Sequence, residues 1–260
     1  MMNKEIKIIY VVGNKFLAFS EHEFVYTLDA FKKFSSEVLK NLLATTQYEV
    51  VLGQGLSEAA LANLAKFFQS PESNNIFFCP SSALLKKKAS KWMTHKHRSE
   101  NILISEPDQV NELIYESELL CDDQCAEMQD HLTGEHLQAT LLIEAVRQML
   151  IATAESHWLK EGGRKNKYFV LDDFSSKFSH YIFPLEVTLR LNVESFRKGL
   201  NGNFKSVVNV DVIQLDQVMM QCHATFSAMD KAALTHLEKT LAQQCLVFSN
   251  RASSAVLKVA

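Results

Sequence analysis

A polar loop followed by an apolar helix holds the residues best suited to do chemistry. The loop contains, in order, Asp130, His131, Thr133, Gly134, Glu135 and His136. The residues after it are apolar nearly all the way round a predicted helix, and such a helix is normally wrapped by other structure. Glu144 and Arg147 interrupt this run, where a carboxylate and a guanidinium are costly unless they are paired or used. This conflict between charge and burial marks Asp130–Trp158 as the candidate site.

Glu144 could serve as a general base in this stretch. Desolvation raises the pKa of a buried carboxyl unless a cation offsets it, and such a group could take a proton from an attacking hydroxyl or orient a water. Arg147 is on the same helix face, where it could hold Glu144 ionised or meet a phosphate. The backbone amides at the helix start, after Gly134, are oriented to stabilise an oxyanion.

The same residues also have purely structural interpretations. Glu144, Arg147 and Gln148 could form a buried polar network that only fixes a subunit interface. His131 could simply cap the loop. Cys121 and Cys125 follow no common zinc spacing, so neither a metal nor another cofactor is predicted.

Composition excludes several classes of protein. At 260 residues, with 47% hydrophobic and 22% charged residues, the chain is typical of a globular protein with one large domain or two small ones. Its net charge of −3 gives no reason to expect nucleic acid or a membrane as a partner. No apolar run reaches the ~20 residues of a membrane span, and the N-terminus does not have the pattern of a secretory signal. The five scattered cysteines are typical of reduced thiols, so a cytoplasmic location is predicted.

Residues 1–85 are predicted to form a small α/β unit. Apolar runs on either side of Gly13-Asn14 are typical of a β-hairpin. The pattern then alternates between helix and strand: a helix from Leu28 to Leu43, a strand at Tyr48–Leu52, a helix from Ser57 to Phe68 and a strand at Ile76–Cys79. Gly53-Gln54-Gly55 precedes a helix but lacks the third glycine and the later acidic partner of a nucleotide-binding loop, which favours a tight turn over a phosphate site.

Residues 86–93 are predicted to be a basic linker. The stretch includes Lys86, Lys87, Lys88 and Lys91 and follows a turn-prone segment at Pro80. A solvated connector is the simpler interpretation. Because clustered lysines steer anions, the alternative is a docking surface for an acidic partner or a phosphate group.

Residues 94–230 have an antiparallel pattern, and the fold class is therefore α+β. Short strands precede the loop and helix, and four strand-like segments follow: Tyr168–Phe178, Leu185–Val193, Phe204–Leu215 and Gln217–Ser227. A sheet with one solvated face, wrapped round a single apolar helix, satisfies both patterns. Within residues 231–260, a last helix is predicted to close the fold, and the residues after Arg251 are predicted to be an ill-defined tail.

The loop and helix resemble the signature of a known family, that of the A-factor biosynthesis (AfsA-type) hotdog domain. The matching residues are Asp130, His131, Thr133, Gly134, His136, Glu144, Ala145, Arg147 and Gln148. Thr94-His95-Lys96 and the strand at Phe169–Asp172 are similar to the segments that flank this signature. The resemblance covers about residues 94–228 and implies a hotdog fold, an antiparallel sheet wrapped round one long central helix. Where the signature has Gly-Met, this chain has Ala139-Thr140, which changes the helix start.

The resemblance implies an enzyme that acts on acyl thioesters of acyl-carrier protein or coenzyme A. Members of the family are associated with joining a β-ketoacyl group to the hydroxyl of dihydroxyacetone phosphate, in the synthesis of γ-butyrolactone signals and other secondary metabolites. An acyltransferase with a phosphorylated acceptor is therefore expected. The catalytic candidates are Glu144, His131 and His136, and the substrate-binding candidates are Asp130, Gly134, Arg147 and Gln148.

Two alternatives remain open. The related dehydratases use a loop histidine followed by a carboxylate on the same helix, and His131 precedes Glu144 at nearly that distance, so a dehydratase or thioesterase is the second interpretation. The third is a non-catalytic acyl-binding protein. Because larger members of the family carry two hotdog units and this chain shows one, a homodimer is expected.

Overall fold

The computed structural model describes residues 6–40, 46–74, 76–79, 86–130, 133–159 and 166–256, without the side chains of Asp130 and of residues 249–256. These residues form two sheets. Among the residues described, no helix is both long and apolar enough to cross a membrane.

The first sheet is parallel and belongs to the N-terminal unit. Its strand order is β2-β1-β3-β4. The elements are β1 Ile6–Val12, β2 Val25–Thr27, α1 Leu28–Lys40, β3 Gln47–Leu52, α2 Glu58–Gln69 and β4 Phe77–Phe78. The hydroxyl of Ser57 accepts from the amide of Ala60 and caps α2, as its sequence position predicts.

The predicted hairpin at Gly13-Asn14 is wrong, because β1 and β2 run parallel. A Cβ on Gly13 would lie 1.9 Å from the carbonyl oxygen of Gly55, so the chain leaves the sheet where these two backbones meet. Phe16 and Phe19, which the hairpin prediction placed in a strand, do not belong to one. Both are buried in the hydrophobic core of the second sheet.

The second sheet is antiparallel and wraps the central helix, so the predicted hotdog architecture is confirmed. Its order is β5-β6-β8-β9-β10-β7. The strands are β5 Asp108–Gln109, β6 Ile114–Glu118, β7 Lys167–Phe178, β8 Thr188–Lys198, β9 Phe204–Gln214 and β10 Gln217–Asp230. The helices are α3 Lys91–Thr94, α4 Ala126–Asp130, α5 Ala139–Thr153 with a π-helical turn at Ala154–Trp158, and α6 Lys231–Val256.

The central helix, α5, is buried on most sides. Leu141, Ala145, Val146 and Met149 are fully buried against the sheet. One strip remains partly open to solvent, formed by Ala139, Thr140, Ile143, Glu144 and Arg147. Any reaction that uses side chains of α5 is therefore limited to this strip.

Gln54 joins the two units. Its side-chain amide donates to the carbonyl oxygens of Leu119 (2.9 Å) and Leu185 (3.1 Å), and its Oε1 accepts from the amide of Cys121 (2.8 Å). Gln54 is 1% exposed. The Gly53-Gln54-Gly55 turn is thus occupied by contacts with the second unit. The predicted limits of the domains remain predictions.

The segment predicted as a basic linker packs against the second sheet over part of its length. Lys88 forms an ion pair with Asp122 at 3.5 Å, and both side chains are nearly buried. Ala89 is buried and bonds through its amide to the carbonyl oxygen of Ile104. Lys86, Lys87 and Lys91 are exposed. Pro80 lies outside the described residues.

The C-terminal helix does not close the fold as predicted. α6 runs to Val256, into the stretch predicted as a tail, and Leu237 and Leu241 are about half exposed. The helix predicted from the spacing of these leucines is present. The sheet is already covered on its inner face by α5, and α6 packs mainly against its neighbouring strands β7 and β10.

Replacing Gln54 by alanine should destabilise the whole chain. The change removes the partner of two buried backbone groups, at Leu119 and Cys121, and of the partly buried carbonyl of Leu185. Each unpaired buried group costs about 1–3 kcal/mol. We expect a loss of about 2–4 kcal/mol in the free energy of unfolding measured with urea. Gln69→Ala, on the exposed end of α2, is the control and should change it by less than about 0.5 kcal/mol. Equal effects of the two changes would contradict the role given to Gln54.

Candidate active site

An apolar cavity of about 670 Å³ opens at the start of α5. Its walls come from the loop before α5, the first turn of α5, the connection between β7 and β8, and β10. The lining residues are His136, Leu137, Ala139, Leu142, Phe178, Ser179, His180, Tyr181, Ile182, Phe183 and Met219. Cavities that bind small molecules measure about 300–1,000 Å³. The volume and the lining suit an apolar ligand of moderate size.

Backbone hydrogen bonds hold the walls of this cavity in place. The amide of Leu137 donates to the carbonyl oxygen of Ile182 at 2.8 Å, which ties the loop before α5 to the β7–β8 connection. The buried side chain of Gln214 bonds both the amide and the carbonyl of Phe183, each at 3.0 Å. The connection is therefore fixed by β9 although it has no regular secondary structure.

His136 is the predicted catalytic residue that lines the cavity. Its Nδ1 lies 3.4 Å from the hydroxyl of Thr133, and its ring packs at 4.8 Å against the ring of Tyr181. Its Nε2 has no hydrogen-bond partner in the part of the chain that the structure describes. A half-buried imidazole with one free nitrogen can accept or donate a proton at the cavity wall.

The free backbone amides at the helix start lie in the first turn of α5, several residues after Gly134. The amides of Glu135 and His136 already donate to the Thr133 hydroxyl, and that of Leu137 is used by Ile182. The first-turn amides, at Ala139, Thr140 and Leu141, have no carbonyl one turn earlier to bond. Together with the helix dipole, they favour negative charge at this end of the cavity.

Gly134 is required for the shape of the loop. It adopts a left-handed backbone conformation with φ of 80°, and its carbonyl oxygen accepts from the amide of Phe19 at 2.9 Å. A carboxylate oxygen of Glu135 lies within hydrogen-bond distance of His22 Nε2, at 2.7 Å. The loop is thus held by the segment after β1, so the N-terminal unit contributes to positioning His136.

Glu144 is the centre of a network of cations and amides. Arg147 donates to both carboxylate oxygens, through Nε at 2.7 Å and Nη2 at 2.9 Å. Gln148 Nε2 lies 3.0 Å, and Lys96 Nζ 2.7 Å, from Oε1. Gln148 also bonds the carbonyl of Asn101 and the amide of Leu103. The predicted cluster of Glu144, Arg147 and Gln148 therefore exists as one network, with Lys96 added.

The pKa of Glu144 is lowered, and the raised value expected for an unpaired buried carboxyl is not found. Burial raises the pKa of this carboxyl, but the hydrogen bonds from Arg147, Lys96 and Gln148 outweigh that effect and lower the pKa to about 2. The same contact raises the pKa of Arg147. A carboxylate with so low a pKa is a weak base at neutral pH, so the network holds a fixed ion pair.

The cavity and the network occupy neighbouring parts of one helix face. Glu144 follows Ala139 by five residues, which is about 8 Å along the helix axis. Glu144 itself does not line the cavity. His131 lies outside the described residues, as does the side chain of Asp130, so neither can be placed against the cavity or the network.

Lys96 and the hydrogen-bonded pair of His95 and Glu155 were missed as site residues. Lys96 belongs to the Thr94-His95-Lys96 motif, which is separated from Glu144 by a long stretch of chain, so only the motif signalled it. Its neighbour His95 has a positive φ of 54° and bonds Glu155 at 2.8 Å. Glu155 is 1% exposed and lies in the π-helical turn, about 16 Å along the axis from Glu144.

The cysteines near the site do not form a metal centre. Cys121 and Cys125 are free thiols with Sγ atoms 3.9 Å apart. Within the described residues, no group of three or more histidine, cysteine, aspartate or glutamate side chains is arranged to hold a metal ion.

Comparison with known domains decides the family. Residues 82–230, more than half of the chain, match the A-factor biosynthesis hotdog domain. The chain belongs to the A-factor biosynthesis hotdog domain family. The resemblance seen in the loop and helix is thereby confirmed. Where the family signature has Gly-Met, Ala139 adds a methyl group to the wall of the cavity.

Several solved structures are similar over the same part of the chain. A conserved protein from Pseudomonas aeruginosa has 19% identity over 54% of this chain and 99% of its own, with a TM-score of 0.38. A thioesterase from Haemophilus influenzae has 18% identity over 57% of this chain and 96% of its own, with a TM-score of 0.39. The dehydratase heterocomplex ApeI:P from Xenorhabdus doucetiae has 11% identity over 58% of this chain and 97% of the matched chain, with a TM-score of 0.45. These likenesses are too distant to bear on function, and no curated protein matches.

Replacing Arg147 by methionine should destabilise the protein in a pH-dependent way. Because the pKa of Glu144 is lower in the folded protein than the ordinary value of about 4.3, ionised Glu144 contributes stability above about pH 5, and this is lost as the pH falls toward 2. The variant lacks part of that contribution. We expect it to be less stable by about 1–3 kcal/mol at pH 7, with a smaller difference at pH 3, by urea unfolding.

Arg190→Met is the matched control for this prediction. Arg190 pairs with Glu116 on an exposed part of the sheet, where such pairs contribute about 0–1 kcal/mol. A deficit of Arg147→Met that is the same at pH 7 and pH 3 would show that Arg147 acts by packing alone.

Proposed function

We propose that this chain is an acyltransferase that takes a β-ketoacyl group from a thioester of acyl-carrier protein or coenzyme A. The acceptor is a hydroxyl compound such as dihydroxyacetone phosphate, in the cytoplasmic synthesis of a γ-butyrolactone-type signal or another secondary metabolite. The observation that carries the proposal is the apolar cavity at the start of α5, which has both His136 and the first-turn amides at its wall. Membership of the A-factor biosynthesis hotdog domain family supports it.

The cavity supplies the acyl-binding part of the reaction. Its apolar walls at Leu142, Ile182 and Met219 fit the alkyl chain. With the chain inside, the thioester carbonyl lies at the helix start, where the amides of Ala139–Leu141 can stabilise the negative charge that develops on its oxygen. Donors positioned in this way lower the barrier to acyl transfer.

His136 is the general base in this proposal. The acceptor hydroxyl oxygen attacks the thioester carbon while its proton passes to His136 Nε2. The carbon–sulfur bond then breaks, and the proton moves from His136 to the departing thiolate, which leaves as a thiol. The products are an ester and the free carrier thiol, and His136 returns to its starting state.

Arg147 and Lys96 hold the phosphate of the acceptor. Arg147 Nη1 has no partner among the described residues, and the Arg147 side chain is 38% exposed. Arg147 follows Ala139 by about 12 Å along the axis, and long helical side chains lean toward the helix N-terminus, which shortens the gap to the carbonyl. Glu144 orients the guanidinium of Arg147 and the ammonium of Lys96. In this proposal Glu144 does not act as a base.

A homodimer completes the proposal. β7 is an edge strand of the six-stranded sheet, and its outer side has no partner strand within the described residues. It is long and carries exposed Tyr168, Leu171 and Phe178. A free apolar edge of this kind invites pairing with a second copy.

A direct assay tests the function. The protein is incubated with a β-ketoacyl carrier protein and dihydroxyacetone phosphate, and the products are identified by mass spectrometry. A phosphorylated β-ketoacyl ester is expected. A free acid would indicate a thioesterase and an enoyl product a dehydratase, and the absence of any turnover with acyl thioesters would favour the non-catalytic interpretation.

Replacing His136 by asparagine should reduce kcat by about 10²–10⁴-fold, because a positioned general base contributes that much. His236→Asn, on the exposed face of α6, is the control and should leave kcat unchanged. An active His136→Asn enzyme would refute the assignment of the base.

The oligomeric state provides a separate test of the interface. Light scattering should give a mass twice the 29.5 kDa of one chain. Leu171→Lys, which places a charge on β7, should shift the population toward the monomer, whereas Leu200→Lys, at an exposed turn, should leave it unchanged. A monomer at all concentrations would remove the dimer from the proposal.

A further inference from the structure

A second cavity lies at the junction of the two units, away from α5. It measures about 580 Å³ and is formed by α2 on one side and by residues 86–102 and the end of the segment after β6 on the other. Its apolar surface is supplied by Leu56, Leu61, Ala62, Ala65, Ile102 and Leu120. It shares no lining residue with the cavity at the start of α5. The small side chains at Ala62 and Ala65 leave the space that a larger residue would fill.

The charged part of this lining is strongly cationic. It contains Lys86, Lys87, Lys88 and Lys91 and one carboxylate, Glu58. Lys86 and Lys88 are engaged with acidic side chains of the second unit. Lys87 and Lys91 are exposed and have no ion-pair partner in the described part of the chain. Two lysines are thus free to meet an anion at the edge of an apolar cavity.

Ser90 gives an independent indication of a ligand. Its hydroxyl is buried, lines this cavity and has no hydrogen-bond partner among the described residues. Ser90 stands at the N-cap of α3, yet its side chain does not cap the helix. A buried hydroxyl without a hydrogen-bond partner is destabilising. An acceptor atom bound in the cavity would remove that cost.

We propose that this cavity binds an amphipathic anion, an alkyl chain of several carbons ending in a carboxylate or a phosphate. The apolar surface takes the chain, Lys87 and Lys91 neutralise the head group, and the Ser90 hydroxyl donates to one of its oxygens. The apolar walls exclude a bare phosphate ion, and the lysines discriminate against a neutral alcohol. The site is separate from the acyltransferase site and does not depend on the proposed activity.

The cavity and the network around Glu144 lie on either side of one short segment. Ser99 and Ile102 line the cavity, whereas Asn101 and Leu103 bond Gln148, which in turn bonds Glu144. The backbone of residues 99–103 therefore separates the two sites.

Calorimetric titration of the full chain tests the proposal with four probes: octanoate, octyl phosphate, octanol and inorganic phosphate. One or both of the amphipathic anions should bind, and the pair distinguishes a carboxylate from a phosphate head group. Octanol and phosphate should bind at least about tenfold more weakly, a difference of about 1.4 kcal/mol. Equal binding of octanol and octanoate would overturn the role of the lysines.

Variants locate the binding site. Ala62→Trp fills the cavity and should weaken binding of the preferred anion at least about tenfold, whereas Ala59→Trp, exposed on the same helix and outside the lining, should not. The double variant Lys87→Glu, Lys91→Glu should weaken binding of the anion by a similar factor, whereas Lys33→Glu, on α1, should leave binding unchanged. Ser90→Ala should weaken binding without lowering stability.

Ala139→Trp separates this proposal from the acyltransferase proposal. If Ala139→Trp abolishes binding and Ala62→Trp does not, the anion occupies the cavity at the start of α5 and the proposal is overturned. If the chain binds octanoate or octyl phosphate and Ala62→Trp weakens that binding, the junction site stands. If the same chain transfers no acyl group, the proposed function fails.

Discussion

The arrangement of the site depends on the ionised carboxylate of Glu144 and its partners. It lies on a helix that is otherwise apolar and wrapped by a sheet, where an ionised group needs partners. Arg147 and Gln148 come from the same helix, and Lys96 comes from the segment that precedes the sheet. Because Gln148 also bonds the backbone of Asn101 and Leu103, this one charge links α5 to the chain that covers it.

The network gives Glu144 a fixed charge, whereas the sequence alone also left this residue open as a general base. A carboxylate held by two cations keeps its charge and orients its partners. The imidazole of His136, at the cavity wall, is the group to which we assign proton transfer. The network at Glu144 and the cavity at the start of α5 thus have separate roles in the proposed reaction.

The N-terminal unit braces the site. Its β1–β2 connection bonds Gly134 through Phe19, pairs His22 with Glu135 and places Lys15 Nζ 3.0 Å from the carbonyl oxygen of Met128. Gln54 holds the second unit at a buried point near Cys121. An α/β unit before a hotdog domain therefore has a physical role here, which is to fix the loop that carries His136.

Sequence reasoning succeeded where a local pattern decides the structure. The alternation in β7 to β10 and the apolar run of α5 predict an antiparallel sheet wrapped round one helix, because both patterns arise from residues close in sequence; the resemblance of the loop and helix to a known family added the hotdog fold. It failed at Gly13, where the turn is decided by contact with Gly55, far along the chain. It left open whether a cation offsets the effect of burial on the pKa of Glu144, because the distant Lys96 cannot be placed beside the carboxyl from spacing alone. The cavity walls, built from irregular backbone at Ile182 and Phe183, carry no sequence pattern at all.

The ionisation of Glu144 provides the most direct test of this account. The carboxyl carbon of Glu144 can be followed by ¹³C NMR in protein labelled at glutamate, with its signal assigned by comparison with Glu144→Gln. The account predicts that the carboxyl remains ionised from pH 7 down to about pH 3, consistent with a pKa of about 2. A carboxyl that titrates at or above pH 5 would show that Lys96 and Arg147 do not hold it, and would contradict the account.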